Sequence, residues 1–218
     1  MKKLILPIGL IILIGFVVFV SAYIEQIQGD EDRITYTASV RQGWNLLNAG
    51  IYVTNAGDPY FTNNSDIKES DISAIFIFSP STNQYIQIKP NLEEEKYNAE
   101  KRYYDGWTSK IHSSSAWVYV KRDGMIEYVT DDVISMTKRE LTSGWNFISV
   151  TENALEKSLN DLKGNCNIQK AYYYLEGYQK LNLDMKLPTD MSSQGLLIKV
   201  TNNCQFGGNA VNPPTIPN

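Results

Sequence analysis

The sequence predicts a mainly β protein with one or two short helices, in which two related sandwich or barrel-like modules follow an N-terminal hydrophobic helix. Three observations predict this architecture: an apolar run over residues 4–20, a segment that occurs twice, and apolar residues alternating with polar ones over residues 34–40. Such alternation is typical of a half-buried strand. The expected parts are a leader (1–22), a first module (23–131), a second module (132–206) and a flexible tail (207–218).

The leader has the pattern of an export signal. Lys2 and Lys3 precede the apolar run, and Val20-Ser21-Ala22 offers a cleavage site after Ala22. The run is longer than a usual signal core and shorter than the ~20 residues that span a bilayer, so a cleaved signal peptide and a retained membrane anchor both remain open. In either case the globular part is expected outside the cytoplasm, secreted or tethered to the outer face of the plasma membrane.

Charge and composition exclude several functions. Without Lys2 and Lys3, the 20 basic residues become 18 against 24 acidic ones, a net charge of −6, which argues against nucleic acid as a partner. One histidine and two cysteines exclude zinc sites rich in Cys and His. The acidic runs at 30–32 and 131–132 do not match a calcium loop and are interpreted as solvated charge. No metal or cofactor is predicted, although a metal site made of Asp and Glu alone stays open.

The two cysteines, Cys166 and Cys204, allow a single intrachain pairing. In an oxidising compartment they are expected to form a structural disulfide, because the Cys-x-x-Cys spacing of reactive pairs is absent.

The repeated segment is Val-Arg-Gln-Gly-Trp-Asn-Leu-Leu-Asn at 40–48 and Leu-Thr-Ser-Gly-Trp-Asn-Phe-Ile-Ser at 141–149. The glycine after a strand predicts a hairpin whose turn needs the left-handed backbone region. Apolar residues on both faces of the returning strand indicate a central strand with its tryptophan in the core. The turn residues of the two copies are Gly43, Trp44, Asn45, Gly144, Trp145 and Asn146.

The similarity continues downstream. Residues 73–78 align with 170–175, each opening a hairpin, and 116–120 align with 196–200 as closing strands. Asp123-Gly124 predicts one more hairpin turn. Helices are predicted from Asn91 to Gly106 and over residues 154–163.

The Gly-Trp-Asn-Leu opening, the aromatic middle strand and the Trp-Val-Tyr-Val closing strand at 117–120 resemble the GWN-type repeats of bacterial and archaeal exported and cell-surface proteins. This resemblance implies non-catalytic β-rich accessory modules. It covers three short blocks in each copy, and the second copy closes with Leu196-Leu197 where the family has an aromatic residue.

Several aromatic side chains are candidate ligand-binding residues, because rings with polar edges suit sugars and protein interfaces. Tyr172 and Tyr174 share one face of a strand while Tyr173 points to the other, so at least one face is expected to be core. The candidates are Tyr103, Tyr104, Trp107, Tyr172, Tyr174 and Tyr178.

No catalytic grouping is recognisable. His112 precedes Ser113-Ser114-Ser115, but adjacency in sequence does not create a nucleophile and its base, and a flexible polar loop is the better interpretation. The sequence therefore predicts a non-catalytic envelope protein that binds a cell-envelope protein or polysaccharide. The alternative is a carbohydrate-binding module using exposed tyrosines, and an extracellular hydrolase is the least favoured hypothesis.

Overall fold

The computed structural model describes residues 24–25, 34–51, 61–103, 110–111, 113–130 and 134–207. Across these ranges the protein is mainly β, as predicted, and its sheets are antiparallel. None of the sheets closes into a barrel, so the sandwich-like alternative is the one observed. The predicted N-terminal helix lies outside the described residues. Within them, no helix combines the length and the apolar character needed to cross a membrane.

The first half of the chain forms a four-stranded sheet with order β3-β6-β4-β5 and a smaller sheet, β1-β2-β7, behind it. The helix α1 follows β5. The elements are β1 (Ile24–Glu25), β2 (Ile34–Val40), β3 (Gly43–Asn48), β4 (Ile72–Ser79), β5 (Gln84–Lys89), α1 (Glu94–Tyr103), β6 (Ser115–Val120) and β7 (Gly124–Thr130).

The second half repeats this topology with shorter outer strands. Its four-stranded sheet has the order β9-β12-β10-β11, and β8 pairs with β13 behind it. The elements are β8 (Glu140–Leu141), β9 (Gly144–Ser149), α2 (Leu159–Leu162), β10 (Ile168–Tyr174), β11 (Tyr178–Lys180), β12 (Gly195–Val200) and β13 (Cys204–Gln205).

The glycine turn does not make a hairpin, which corrects the prediction. β2 pairs with β7 while β3 pairs with β6, so the chain passes from one layer to the next between Val40 and Gly43. The predicted backbone conformation is nevertheless present, because both Gly43 and Gly144 have φ of 106°. Asp123-Gly124 is the corresponding passage between β6 and β7 and is likewise no hairpin, since these two strands belong to different sheets.

The asparagine of each repeat holds this passage together. The Asn45 side chain accepts a hydrogen bond from Arg41 N at 3.1 Å and donates to Arg41 O at 2.8 Å and to Gly43 O at 3.1 Å. Asn146 makes the same three bonds with Thr142 and Gly144. The amide therefore satisfies backbone groups that a hairpin would have paired with each other.

Replacing Gly43 with valine is expected to lower the free energy of unfolding by about 2 kcal/mol, because a β-branched residue is strained at positive φ. A Cβ at this position would meet nothing within 4 Å, so the cost comes from the backbone alone. Urea denaturation measures it, with Gln42→Val at the exposed neighbouring position as control. Equal midpoints for the two variants would contradict the assignment.

Three apolar cores separate the layers. One lies between the first large sheet and β2-β7, the second lies beneath the second large sheet with α2 and β13, and the third lies between the two large sheets. β3 and β9 are edge strands of their sheets, not central ones. Their apolar residues point to both faces because each sheet is covered on both sides.

The two halves pack through reciprocal contacts. Asn48 N donates to Ser193 O at 2.9 Å, and the corresponding Ser149 N donates to Ser113 O at 3.1 Å. The isolated bridges Leu47–Gln194 and Ile148–Ser114 form a second such pair. Contacts that recur when the partners are exchanged are the pattern of a twofold interface, here formed within one chain.

The sequence alignment of β4 with β10, its counterpart in the second half, was wrong by one residue. Phe76 is opposite Trp117 and Tyr172 is opposite Leu197, so Phe76 corresponds to Tyr172 and not to Tyr173. A one-residue shift exchanges the two faces of a strand. The correct register places Phe76, Phe78, Tyr172 and Tyr174 together in the core between the large sheets.

Both helices differ from their predicted bounds. α1 begins at Glu94, three residues after Asn91, and Gly106 lies outside the described residues. The single helix predicted over 154–163 is a 3-10 turn, Glu152–Ala154, followed by the short α2. Glu156 interrupts it with φ of 59°, and Ser158 caps α2 in a box with Asp161.

The predicted disulfide is present: the Sγ atoms of Cys166 and Cys204 lie 2.16 Å apart. It ties β13 to the loop that precedes β10. A paired thiol is consistent with an oxidising location outside the cytoplasm. Of the predicted tail, Gly207 is still anchored, since its N–H donates to Leu162 O at 2.8 Å, whereas residues 208–218 lie outside the described range.

Candidate functional site

An aromatic groove opens at one end of the space between the two large sheets. Its volume is about 380 Å³, and every described residue that lines it is aromatic. We define the aromatic groove by these residues: Trp44, Phe76, Tyr85 and Trp117 from the first half, and Tyr174 and Tyr178 from the second.

Strand pairing brings these rings together. Phe76 and Trp117 are direct cross-strand partners in the first sheet, as are Tyr174 and Tyr178 in the second. Trp44 lies on the same face of the first sheet because it is two residues from Leu46, which belongs to the core between the sheets. Sheet register and sheet packing thus create a site from six different strands.

Most contacting ring pairs in the groove stand nearly perpendicular, and Trp44 and Phe76 are tilted at 56°. The Trp117 ring is 4.7 Å from Tyr174 and 5.9 Å from Tyr178, at 89° in both cases. Trp44 meets Trp117 at 83°. Edge-to-face contacts of this kind are favourable for aromatic pairs and leave ring faces as the walls of the groove.

Three of the rings are accessible at the mouth. The exposed fractions are 41% for Trp44, 42% for Tyr85 and 56% for Tyr178. Trp117, at 9%, forms the floor, and its Nε1–H donates to the Tyr85 hydroxyl at 3.3 Å. An apolar surface that stays this open is characteristic of a binding site.

The groove is electrically neutral. Burial, followed by the nearby Tyr85 and Tyr174, raises the pKa of Tyr178 above its usual value near 10, so this phenol stays protonated at physiological pH. Tyr178 also forms a hydrogen bond with Tyr85 across the two sheets. On the rim, Arg41 and Glu176 form an ion pair that joins the two halves. No described lining residue carries a charge.

Only some of the predicted ligand-binding tyrosines lie at the aromatic groove. Tyr174 and Tyr178 line the aromatic groove, whereas Tyr172 lies beside it, 6.1 Å from Trp145 and 6.3 Å from Tyr178. Tyr173 packs on the opposite core, which confirms the predicted division of faces. Tyr104 and Trp107 lie outside the described residues, and of Tyr103 only the backbone, at the end of α1, is described.

The two repeat tryptophans are not core residues, contrary to prediction. Trp44 is exposed at the mouth of the groove, and Trp145 is half-buried against Tyr172 with the Lys199 ammonium 5.9 Å from its ring. The reason is that β3 and β9 are edge strands and that each tryptophan stands at the outer end of its strand. The sequence did not predict three of the groove residues, Phe76, Tyr85 and Trp117. Only the register of the strands shows that their side chains share a face.

A second cavity, of about 370 Å³, lies at the opposite side of the junction between the halves. Its lining includes two carboxylates, Glu100 and Glu140. Glu100 is buried, and its Oε2 accepts bonds from Ser79 at 2.5 Å and Ser81 at 2.6 Å. Glu140 is largely exposed and lies 3.6 Å from Lys110. This arrangement holds no pair of facing carboxylates in place for acid–base chemistry.

The serines after His112 have structural roles. Ser113 and Ser115 are buried, which corrects the predicted flexible loop, and Ser114 donates to Lys110 O at 2.7 Å and accepts from Arg139. His112 lies outside the described residues. Among the described residues, no three His, Cys, Asp or Glu side chains lie together so that they could hold a metal ion.

Comparison of the chain with protein-family models found no match, and neither did comparison with curated proteins or with solved structures. The aromatic groove therefore has to be interpreted from its own chemistry.

Proposed function

We propose that this protein is a non-catalytic binding protein of the cell exterior that holds an uncharged, apolar segment of a partner protein in the aromatic groove. The observation that carries the proposal is a neutral groove whose described lining residues are all aromatic, three of them accessible. Aromatic residues of this kind are the anchors of protein interfaces, because they bury a large area at little cost in conformational entropy.

The ring geometry favours a protein partner over a polysaccharide. A sugar chain stacks on a flat row of coplanar rings, whereas Trp117 meets its groove neighbours at 83° to 89° and Trp44 meets Phe76 at 56°. The carbohydrate-binding alternative keeps one supporting observation, the exposed hydroxyl-bearing rings of Tyr85 and Tyr178. The likeness to GWN-type repeats, together with the disulfide and the leader pattern, supports an extracytoplasmic location.

A photo-reactive phenylalanine analogue at position 178 tests this proposal on intact cells. We expect covalent adducts that mass spectrometry identifies as peptide, and we expect Trp44→Ala to suppress them by about tenfold, equivalent to losing one anchor worth about 1.4 kcal/mol. Trp145→Ala is the matched control, because Trp145 holds the equivalent repeat position without lining the groove. Glycan adducts would favour the carbohydrate alternative, and the absence of adducts would refute both.

A further inference from the structure

We propose that the aromatic groove of one molecule binds residues 213–217 of a second copy, Pro-Pro-Thr-Ile-Pro, in the polyproline II conformation. This inference rests on the proposed function, because it names the apolar segment that the groove holds. Three observations carry it: the chemistry of the groove, the composition of residues 208–218, and the place where the described chain ends.

The groove has the properties that proline-rich segments require. Such segments dock on grooves lined by aromatic rings, and the preformed helix loses little entropy on binding. Polyproline II has no internal hydrogen bonds, so its carbonyl groups need donors from the partner. Tyr85 and Tyr178 share one hydrogen bond at the mouth, so one of their two hydroxyls keeps its O–H free to donate to such a carbonyl. The rings that meet at 89° offer slots between their faces.

The segment matches the groove in shape and charge. A polyproline II helix has three residues per turn, so residues three apart lie on the same edge. In that conformation Pro214 and Pro217 would share one apolar edge, and Pro213 and Ile216 would share another. Residues 208–218 contain no charged side chain, as expected for a ligand of a neutral groove.

The exit point of the chain favours a second copy over the same molecule. Gly207 is bonded to Leu162, which belongs to the core beneath the second sheet, whereas the groove lies on the opposite face of that sheet. The groove residues Tyr174 and Tyr178 also lie beside the β10–β11 turn, at the end of the sheet remote from β13. Residues 208–212 extend at most about 18 Å, and would have to pass around a sheet edge to return.

Docking of one copy's tail on the next copy's groove is a head-to-tail contact, which builds rings or open chains. The complementary surfaces lie at different places on the molecule, so a variant that lacks one surface keeps the other. Mixing two such variants therefore restores a single contact per pair.

The test uses full-length chains solubilised identically. One variant carries Trp44→Ala and Tyr178→Ala in the groove, and the other carries Pro214→Ala and Pro217→Ala in the segment. In analytical sedimentation we expect wild-type chains to associate more as their concentration rises. Each variant alone should associate at least about tenfold more weakly. The mixture of the two variants should form 1:1 pairs. A synthetic peptide of residues 208–218 should compete with these pairs, whereas the same peptide with both prolines changed to alanine should not.

Other outcomes overturn the inference in distinguishable ways. If mixing gives no pairs while the peptide still binds the proline variant, the segment docks within its own chain. If the peptide does not bind and the photo-adducts at position 178 come from another protein, the proposed function stands and this inference is wrong. If neither the peptide nor any cellular protein reaches the groove, both are wrong.

Discussion

Reducing the disulfide between Cys166 and Cys204 is expected to lower the free energy of unfolding by roughly 4 kcal/mol. The bond closes a loop of 39 residues, counting both cysteines (204 − 166 + 1), and the chain-entropy relation for a loop of that length gives this magnitude. Both cysteines are buried in the core beneath the second sheet, where the bond fastens the two-residue strand β13. A strand this short has few ladder bonds to hold it without the covalent link.

Urea denaturation with and without reductant measures this effect. The double variant Cys166→Ala, Cys204→Ala should unfold at the lower midpoint under both conditions, which separates the loss of the bond from other actions of the reductant. A shared midpoint for oxidised and reduced wild type would show that the second half does not depend on the bond.

Changing Asn146 to alanine is expected to lower the free energy of unfolding by about 3 kcal/mol. The Asn146 side chain is only 4% exposed and makes three hydrogen bonds to the backbone of Thr142 and Gly144. Deleting it leaves these partly buried backbone groups without their partner, and an unsatisfied buried polar group costs about 1–3 kcal/mol.

Asn45 provides a matched comparison inside the same chain. It makes the same three bonds in the first repeat, but it is half-exposed, and its bonds to Arg41 are accessible to water. Asn45→Ala should therefore cost about 1 kcal/mol, less than Asn146→Ala, because water replaces the lost partners. Equal losses in the two variants, measured by urea denaturation, would contradict the role assigned to burial.

Local patterns in the sequence were sufficient for several features. Period-two alternation placed most strands of the large sheets, the repeated Gly-Trp-Asn identified two related halves, and the cysteine pairing followed from there being one possible pair. The positive φ of Gly43 and Gly144 was also predictable, since it depends on the residue itself and its immediate neighbours. The exchange of faces between Tyr172 and Tyr173 followed from strand geometry alone.

Features that depend on strand pairing were not predictable in this way. The passage at Gly43 joins two layers and not two paired strands. The Asn45 side-chain amide makes the hydrogen bonds to the N–H and C=O of Arg41 that a partner strand would make in a hairpin. A shift of one residue in the alignment of β4 with β10 hid the common face of Phe76 and Tyr172. The aromatic groove is the clearest case, since its six rings come from separate strands of both halves.

By itself the sequence determined a doubled, disulfide-linked β protein, because period, repeat and residue type act over a few neighbouring positions. The tertiary structure alone decided that the halves pack face to face through reciprocal bonds, and that the tryptophan of the first repeat opens to solvent at the end of that interface. The physical reason is that register and sheet packing are fixed by contacts between residues far apart in the chain, which no local pattern encodes.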